Sequence, residues 1–187
     1  MARTIGAAFE EVLTAAQQGA GWACTRLYET LAPAVYGFLR SQGARDPADL
    51  TSEVFLAVFS RCRSFSGTES QFRSWVFTIA HHRLIDDRRA AARRPPPEVL
   101  DERSGGRLRS APAEDVAIQR LGQDRVTGLL AALTDEQRTV VALRVIADMT
   151  VDEVASALGK RPEAVKALQR RGLDALRRKL AAEEVAQ

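Results

Sequence analysis

The chain has 187 residues, of which 45% are apolar and 27% are charged, and its net charge is +3. This length allows one domain or two small ones, and this composition excludes a chain that is disordered throughout. No apolar run approaches the ~18–20 residues that would span a bilayer, and the first residues do not resemble a secretory signal. We therefore expect a cytoplasmic protein without membrane insertion.

The two cysteines, Cys24 and Cys62, lie far apart, with no second thiol or histidine at metal-ligand spacing. A disulfide framework or a structural zinc site is therefore not expected. We expect both to be small buried apolar residues, with a redox thiol as the alternative. No metal and no cofactor are expected.

Positive charge is concentrated in two short blocks. Residues 81–94 carry a net charge of +3 and residues 160–180 a net charge of +6, in a background that is neutral or acidic. Such blocks are typical of contacts to nucleic acid, although a solvated basic helix face gives the same pattern.

Helical periodicity dominates the first half. Apolar residues recur at helical spacing over 9–16, 27–39, 50–62 and 72–80, whereas strand patterns and hairpin turns are nearly absent. Pro33 is expected to bend or restart the second of these helices. Asp46 followed by Pro47 is typical of a helix start. These features predict a helical domain over residues 1–94, with Phe72 and Trp75 in its core.

Residues 95–112 contain three consecutive prolines and Ser104-Gly105-Gly106. This composition predicts a flexible linker that leaves the spacing of its neighbours undefined. Helical periodicity resumes from Ile118 to Leu133 and predicts a second helical domain over 113–187. The expected fold class is all-α, with two small helical domains joined by the linker.

The second domain has clear helix boundaries. Thr134 with Gln137, and Thr150 with Glu153, form the pattern of a capping box. Gly159 is expected to end the shorter helix in a left-handed conformation. A long basic helix then starts at Pro162, and its predicted inner face is Val165, Leu168, Leu176 and Leu180. A short helix, a glycine turn and a longer basic helix predict a helix-turn-helix that binds DNA.

The long basic helix carries candidate DNA-reading residues. Its N-terminal half is the part that enters a major groove, where Lys and Arg donate to guanine edges. We expect base-edge contacts near Arg161, Glu163, Lys166 and Arg170. Farther along, Arg171 and the basic run 177–179 would meet phosphates. For 177–179, a basic helix end that complements its own dipole is the alternative.

His82 and Asp86 lie one helical turn apart, and an acid–base couple or half a metal site is conceivable. No third ligand follows at suitable spacing, and the neighbouring arginines would repel a cation. We therefore expect no catalytic residue.

The outward face of the predicted 47–63 helix combines acids with an apolar side chain. Its residues are Asp49, Ser52, Glu53, Leu56 and Ser60. This mixture suits a protein partner better than DNA, and an ordinary solvated face is the alternative.

Three stretches of the first half carry a resemblance to a known family. The first runs from Leu27 to Arg40, the second is Asp49-Leu50-Thr51-Ser52-Glu53-Val54-Phe55, and the third runs from Phe72-Arg73-Ser74-Trp75 to Ala80. They resemble region two of the extracytoplasmic-function (group IV) sigma factors of the sigma-70 family, of actinobacterial character.

Further stretches in the second half resemble region four of the same factors. They run from Leu133-Thr134 to Arg144, from Thr150 to Ala155, and from Ala164 to Arg171. The two resemblances occur in the family's order, and the chain is identified as a member on both.

The resemblance implies a non-enzymatic factor that binds core RNA polymerase and directs promoter-specific initiation. The face Asp49, Ser52, Glu53 and Leu56 would dock on the β′ clamp helices. The linker would cross the catalytic cleft, and the second domain would lie near the β flap. An anti-sigma factor is a further candidate partner.

The resemblance also implies two DNA sites. The −35 duplex would be read by Arg161, Glu163, Lys166, Arg170 and Arg171. Melted −10 bases would be captured in the loop Ser66, Gly67, Thr68, Glu69 and Ser70, beside His82 and Arg83, with Arg88 and Arg89 nearby.

Two positions depart from the family pattern. Ser52 stands where Gln is usual, and His81-His82 stands where an Arg-Asn pair is frequent. The runner-up function is a conventional helix-turn-helix repressor or activator. A helical nucleic-acid enzyme that uses His82 and Asp86 is the third alternative.

Overall fold

The computed structural model describes residues 4–93 and 128–185. The first half contains α1 (Phe9–Gln17), α2 (Gly21–Ser41), α3 (Pro47–Arg61) and α4 (Glu69–Arg93), with short 3-10 turns at Gly6–Ala8 and Cys62–Ser64. The second half begins with helical residues 128–131 and continues with α5 (Asp135–Val145), α6 (Val151–Leu158) and α7 (Pro162–Val185).

Helices and their connections account for all the described residues, and no strand occurs among them. The predicted all-α fold class is confirmed. The predicted linker 95–112 and the expected helical stretch from Ile118 to Val126 lie outside the described residues. None of the helices described is both long and apolar enough to cross a membrane.

The start of α3 follows from its sequence. Oδ1 of Asp46 accepts hydrogen bonds from the backbone N–H groups of Ala48 at 3.1 Å and Asp49 at 2.9 Å, and Pro47 occupies the first turn. The prediction of a helix start there is confirmed. Pro33, in contrast, does not restart α2, which continues to Ser41. The fully buried Val35 and its neighbours hold this helix in place through packing.

An aromatic cluster fills the first half. Phe38 and Phe77 are fully buried and meet edge to face, with ring centroids 5.7 Å apart. Phe72 is 1% exposed, and the half-buried Trp75 packs beside it at 5.6 Å. The expectation of core packing for both is confirmed.

The two cysteines differ in their surroundings. Cys62 is buried, as expected, whereas Cys24 is half-buried. Burial, and after it the proximity of Cys24, raises the pKa of the Cys62 thiol. Cys62 is thus an unreactive core residue at neutral pH.

The second half confirms the predicted helix boundaries. Thr134 with Gln137, and Thr150 with Glu153, form complete capping boxes. Gly159 ends α6 with φ 61° and ψ 32°, the expected left-handed conformation.

The prediction of which residues form the buried face of α7 is correct only in part. Val165 is fully buried, whereas Leu180 is 36% exposed, contrary to the prediction. The 24 residues of α7 rise about 36 Å. The helix is therefore much longer than α5 and α6, which hold 11 and 8 residues.

The two halves pack against each other. Helix α2 contacts α5, helix α4 contacts α6, and buried apolar residues of both halves form one cluster. The hydroxyl of Thr139 lies 3.0 Å from Oε1 of Gln42, and Nη1 of Arg73 lies 3.4 Å from Oδ2 of Asp148. The spacing of the halves is thus defined by contacts, whereas the linker composition predicted an undefined spacing.

Candidate nucleic-acid interface

The N-terminal half of α7 presents a charged outer face. Glu163, Lys166 and Arg170 lie on one side of the helix at intervals of three and four residues, and all are exposed. Arg161, just before the helix, and Arg171 are exposed too. Val165 anchors the opposite side in the core. All five predicted −35 residues are therefore accessible on one end of the second half.

Two features fix the orientation of α7. Nε of Arg144 on α5 donates to Oε1 of Gln169 at 3.2 Å, and the same guanidinium donates to the carbonyl of Met149. Gly172 allows close packing, because a Cβ at this position would lie 2.9 Å from Cγ2 of Val141. A glycine inside a helix costs about 1 kcal/mol relative to alanine. The exposed face of α7 therefore stands on a closely packed support, which the sequence interpretation did not include.

The 66–70 loop is held by its own hydrogen bonds. The side chain of Gln71 accepts from the backbone of Thr68 at 2.9 Å, and the Thr68 hydroxyl accepts from the backbone of Gln71 at 3.3 Å. Gly67 has φ 153°, and a Cβ there would lie 2.6 Å from Oε1 of Gln71. This reciprocal pair is a capping box that opens α4. Its Thr-x-x-Gln signal was present in the sequence and was missed.

Glu69 in this loop has a structural partner. Its carboxylate accepts hydrogen bonds from the backbone N–H groups of Ile5 at 2.6 Å and Gly6 at 2.9 Å. The chain before α1 is thereby attached to the start of α4. The neighbouring Ser66, Thr68 and Ser70 remain exposed.

His82 lies far from this loop along α4. It follows Glu69 by 13 residues in one continuous helix, which is about 20 Å at 1.5 Å per residue. The expectation that the loop lies beside His82 and Arg83 is wrong, because α4 runs without a break between them.

His82 and Arg83 instead line a groove between α3 and α4. An open cavity of about 450 Å³ there is lined by Arg61, His82, Arg83, Asp86 and Arg89, together with Ala57, Ile79 and Ile85. Arg61, at the end of α3, was not singled out from the sequence, although it adds a third arginine to the groove. The groove can accept an anionic ligand such as a phosphodiester.

The two remaining arginines of the predicted −10 site differ in their roles. Arg88 is half-buried, and its guanidinium donates to the carbonyl of Gln42, so it supports the fold rather than the groove. Arg89 is exposed and lies 3.9 Å from the carboxylate of Asp86. The carboxylate of Asp86 is therefore paired with Arg89, which does not support an acid–base couple of Asp86 with His82.

His81 differs from its neighbour in exposure. It is half-buried, whereas His82 is exposed. Burial, followed by the charges of His82 and Arg88, lowers the pKa of His81 from 6.5 to about 4. His81 is therefore neutral at physiological pH. The described parts of the chain bring no three metal-ligating side chains together.

The predicted protein-binding face of α3 is accessible along its length. Its members Asp49, Ser52, Glu53 and Leu56 are all exposed, with Leu56 at 71%. The opposite side of α3 is buried in the core. A large exposed apolar side chain among carboxylates is suited to a protein partner.

Comparison with known proteins identifies both halves. Residues 27–94 match the family model Sigma-70 region 2, and residues 129–178 match Sigma-70, region 4. The ECF RNA polymerase sigma factor BldN of Streptomyces coelicolor is 29% identical over 172 residues, which are 91% of this chain and 65% of BldN. The chain thus spans about two thirds of that relative's length.

Two further comparisons agree. The ECF RNA polymerase sigma factor SigK of Mycobacterium tuberculosis is 29% identical over 159 residues, which are 83% of this chain and 84% of SigK. The structure of CnrH in complex with the cytosolic domain of CnrY matches with a TM-score of 0.67 and 24% identity, over 94% of this chain and 98% of CnrH. The likeness to CnrH concerns the fold.

Proposed function

The chain belongs to the extracytoplasmic-function sigma factors of the sigma-70 family, which are RNA polymerase sigma factors of transcription initiation, and we propose that it reads both elements of a promoter. The second half reads −35 duplex, and the first half captures melted −10 DNA. The observation that carries this proposal is the pair of separate accessible basic surfaces, one on α7 and one in the α3–α4 groove.

The −35 element is bound by the N-terminal half of α7. Lys166 and Arg170 face outward on a helix whose other side is fixed in the core. Such a helix end fits a major groove, where basic side chains donate to guanine O6 and N7. Arg161 and Arg171 flank them and neutralise phosphates.

The −10 element is bound along α4. The 66–70 loop and the groove that contains His82 are about 20 Å apart, and a stacked strand advances about 3.4 Å per nucleotide. One unpaired strand of about six nucleotides would therefore reach from the loop to the groove. The capping box of Thr68 holds the loop before DNA arrives, which lowers the entropy cost of binding. Arg61, Arg83 and Arg89 supply the positive charge that attracts the backbone.

Core polymerase is bound through Asp49, Ser52, Glu53 and Leu56, with the β′ clamp helices as the partner. The second half is held near the β flap. The chain acts in the cytoplasm, needs no cofactor and catalyses no reaction of its own. An anti-sigma factor that covers these surfaces would control it.

Holoenzyme assembly tests the proposal. Asp49→Arg and Leu56→Asp are expected to weaken co-purification with bacterial core polymerase at least tenfold while leaving helix content unchanged. Val145→Asp is the matched control for Leu56→Asp, because Val145 is 70% exposed and lies in the second half. Equal assembly of all variants would leave the α3 face as ordinary solvated surface.

DNA binding measured with and without core polymerase distinguishes a sigma factor from the alternative function, a conventional helix-turn-helix repressor or activator. The proposal expects specific promoter binding only when core polymerase is present, since each half alone offers a small basic patch. Nanomolar, sequence-specific duplex binding by the isolated chain at physiological salt would instead favour a conventional helix-turn-helix regulator.

A further inference from the structure

We infer that α1 and the residues just before it hold the 66–70 loop in the conformation that binds DNA, and that Glu69 positions this loop rather than reading a base. Gln17 holds the segment that enters the loop, and Glu69 holds the segment that leaves it. This inference rests on the proposed function, since the conformation of the loop matters to initiation only if the loop captures melted −10 DNA.

Gln17, the last residue of α1, is bonded to the segment that enters the loop. Its Nε2 donates to the carbonyl oxygen of Cys62 at 3.1 Å and to that of Phe65 at 2.8 Å. One side-chain amide thus uses both of its N–H donors on two backbone carbonyls. The chain between Cys62 and Phe65 cannot unwind without breaking at least one of these bonds.

Glu69, the first residue of α4, is bonded to the residues before α1. Its Oε1 accepts from the backbone N–H of Ile5 at 2.6 Å, and its Oε2 accepts from that of Gly6 at 2.9 Å. Glu69 is half-buried, whereas the other residues of the loop are exposed. Hydrogen bonds from two N–H groups to the two oxygens of one carboxylate are strong and directional. Glu69 is therefore expected to keep them when DNA binds.

A row of aromatic rings connects these two attachments. Phe9 of α1 contacts Phe72 of α4 with ring centroids 5.7 Å apart, and Phe72 meets Phe65 edge to face at 5.1 Å. The loop lies against the ring of Phe65, since a Cβ at Gly67 would lie 3.3 Å from its Cζ. Helix α1 therefore supports the loop by packing as well as by hydrogen bonds.

A loop that is ordered in advance should bind single-stranded DNA more tightly. Ordering a flexible residue costs conformational entropy, and an ordered loop does not bear that cost again on binding. The capping box of Thr68 with Gln71 acts only within the start of α4, whereas the bond of Glu69 to Ile5 joins residues 64 positions apart. Helix α1 precedes residues 27–94, the stretch that matches Sigma-70 region 2, so that match assigns it no role.

Amide hydrogen exchange of the full chain tests these attachments without DNA. The amides to follow are those of Phe65, Thr68 and Gln71, which are hydrogen-bonded at the two ends of the loop. Glu69→Ala and Gln17→Leu are each expected to raise the exchange rates at their own end of the loop about threefold or more. Circular dichroism verifies that the helix content is unchanged.

Gln18→Leu is the matched control for Gln17→Leu. It makes the same change one position later, at an exposed side chain that has no hydrogen bond among the described residues. Its exchange rates should equal those of the wild type.

A double-mutant cycle separates the attachment from a purely local effect of Glu69. A carboxylate in the first turn of α4 also interacts favourably with the helix dipole, whether or not Ile5 is near. Ile5→Pro removes one of the two N–H donors, and the φ of −82° at Ile5 is close to the value that proline adopts. Ile5→Ala is its control, since it keeps the N–H. The effects of Ile5→Pro and Glu69→Ala should be less than additive, because both variants remove the same attachment.

Binding of single-stranded DNA by holoenzyme measures the consequence. The probe is an oligonucleotide with about six randomised positions, the number that would reach from the loop to the groove, and the bound molecules are sequenced. Glu69→Ala and Gln17→Leu are expected to lower the affinity for the enriched sequence about three- to tenfold, through the entropy of the loop. The enriched sequence itself should stay that of the wild type.

Unchanged exchange rates in Glu69→Ala and Gln17→Leu would overturn the inference, and so would faster exchange without a loss of affinity. A Glu69→Ala holoenzyme that enriches a different base at one position would make Glu69 a reading residue. Fully additive effects in the cycle with Ile5→Pro would show that Glu69 acts independently of α1. A wild-type holoenzyme that enriches no sequence would contradict the proposed function instead, and the exchange rates would then still decide whether α1 holds the loop.

Discussion

The hydroxyl of Thr139 on α5 lies 3.0 Å from Oε1 of Gln42 at the end of α2, where Gln42 is only 1% exposed. The two residues are 97 positions apart in the chain and belong to different halves. A buried amide oxygen that loses its donor costs about 1–3 kcal/mol. This one contact therefore couples the stability of the fold to the packing of the halves.

Thr139→Val is expected to lower the free energy of unfolding by about 1–2 kcal/mol, since valine keeps the shape and removes a hydroxyl that lies 3.0 Å from Oε1 of Gln42 and 2.9 Å from the carbonyl oxygen of Asp135 in its own helix. Thr78→Val is the control, because the Thr78 hydroxyl has the same kind of bond within its own helix, to the carbonyl of Ser74 at 2.8 Å, and has no acceptor in the second half among the described residues. Urea denaturation of the full chain measures both. Equal losses in the two variants would show that the bond to Gln42 contributes nothing.

Acid is expected to destabilise the protein through His81. Burial lowers its folded pKa to about 4, while the unfolded value is 6.5. Between these values the unfolded chain binds more protons, so stability falls as the pH drops from 6.5 towards 4, by about 1–3 kcal/mol in total. His81→Gln removes this contribution, so its free energy of unfolding, measured by urea denaturation at several pH values, should fall less between pH 6.5 and 4.

His82→Gln is the control variant, since it leaves His81 in place. It should still lose stability as the pH falls from 6.5 towards 4, as the wild type does. A His81→Gln protein that loses stability over this pH range as steeply as the wild type would contradict the assignment.

The basic residues of α7 are expected to differ in their effects. Lys166→Ala and Arg170→Ala should each cost about 1–3 kcal/mol on a cognate −35 element and relax its sequence preference. Arg178→Ala should weaken binding about equally on all sequences and reduce the salt dependence. Holoenzyme binding to −35 variants at several salt concentrations measures both effects. An unchanged −35 preference in both recognition-helix variants would rule out base reading.

His82 is expected to act in melting rather than in duplex binding. A neutral imidazole offers one donor and one acceptor to a base edge, and His82 is exposed in the groove with Arg61 and Arg83. His82→Ala should leave polymerase assembly and −35 binding intact but reduce open-complex formation, and His82→Asn should shift the preferred −10 base. Permanganate footprinting on promoters randomised across −10 provides the readout. Normal opening with an unaltered base preference would make His82 a plain surface residue.

Local signals in the sequence predicted much of this fold. The caps at Asp46, Thr134, Thr150 and Gly159 each depend on a few neighbouring residues, and each occurs as predicted. The box of Thr68 with Gln71 has the same signal and could have been found in the same way.

Contacts between distant residues could not be predicted from such patterns. Arg73 and Asp148 are 75 positions apart, and their pairing depends on how the two halves pack against each other. The wrong prediction that His82 lies beside the 66–70 loop had another cause. The loop and His82 are only 13 residues apart in the sequence, but one continuous helix joins them and places them about 20 Å apart.

Run-off transcription with purified core polymerase tests the central claim most directly. Fragmented DNA from the source bacterium serves as template, so that no promoter sequence has to be assumed. We expect discrete transcripts that appear only when the chain is added and that are lost with Asp49→Arg or with a Lys166→Ala/Arg170→Ala chain. Transcript patterns identical with and without the wild-type chain would contradict it.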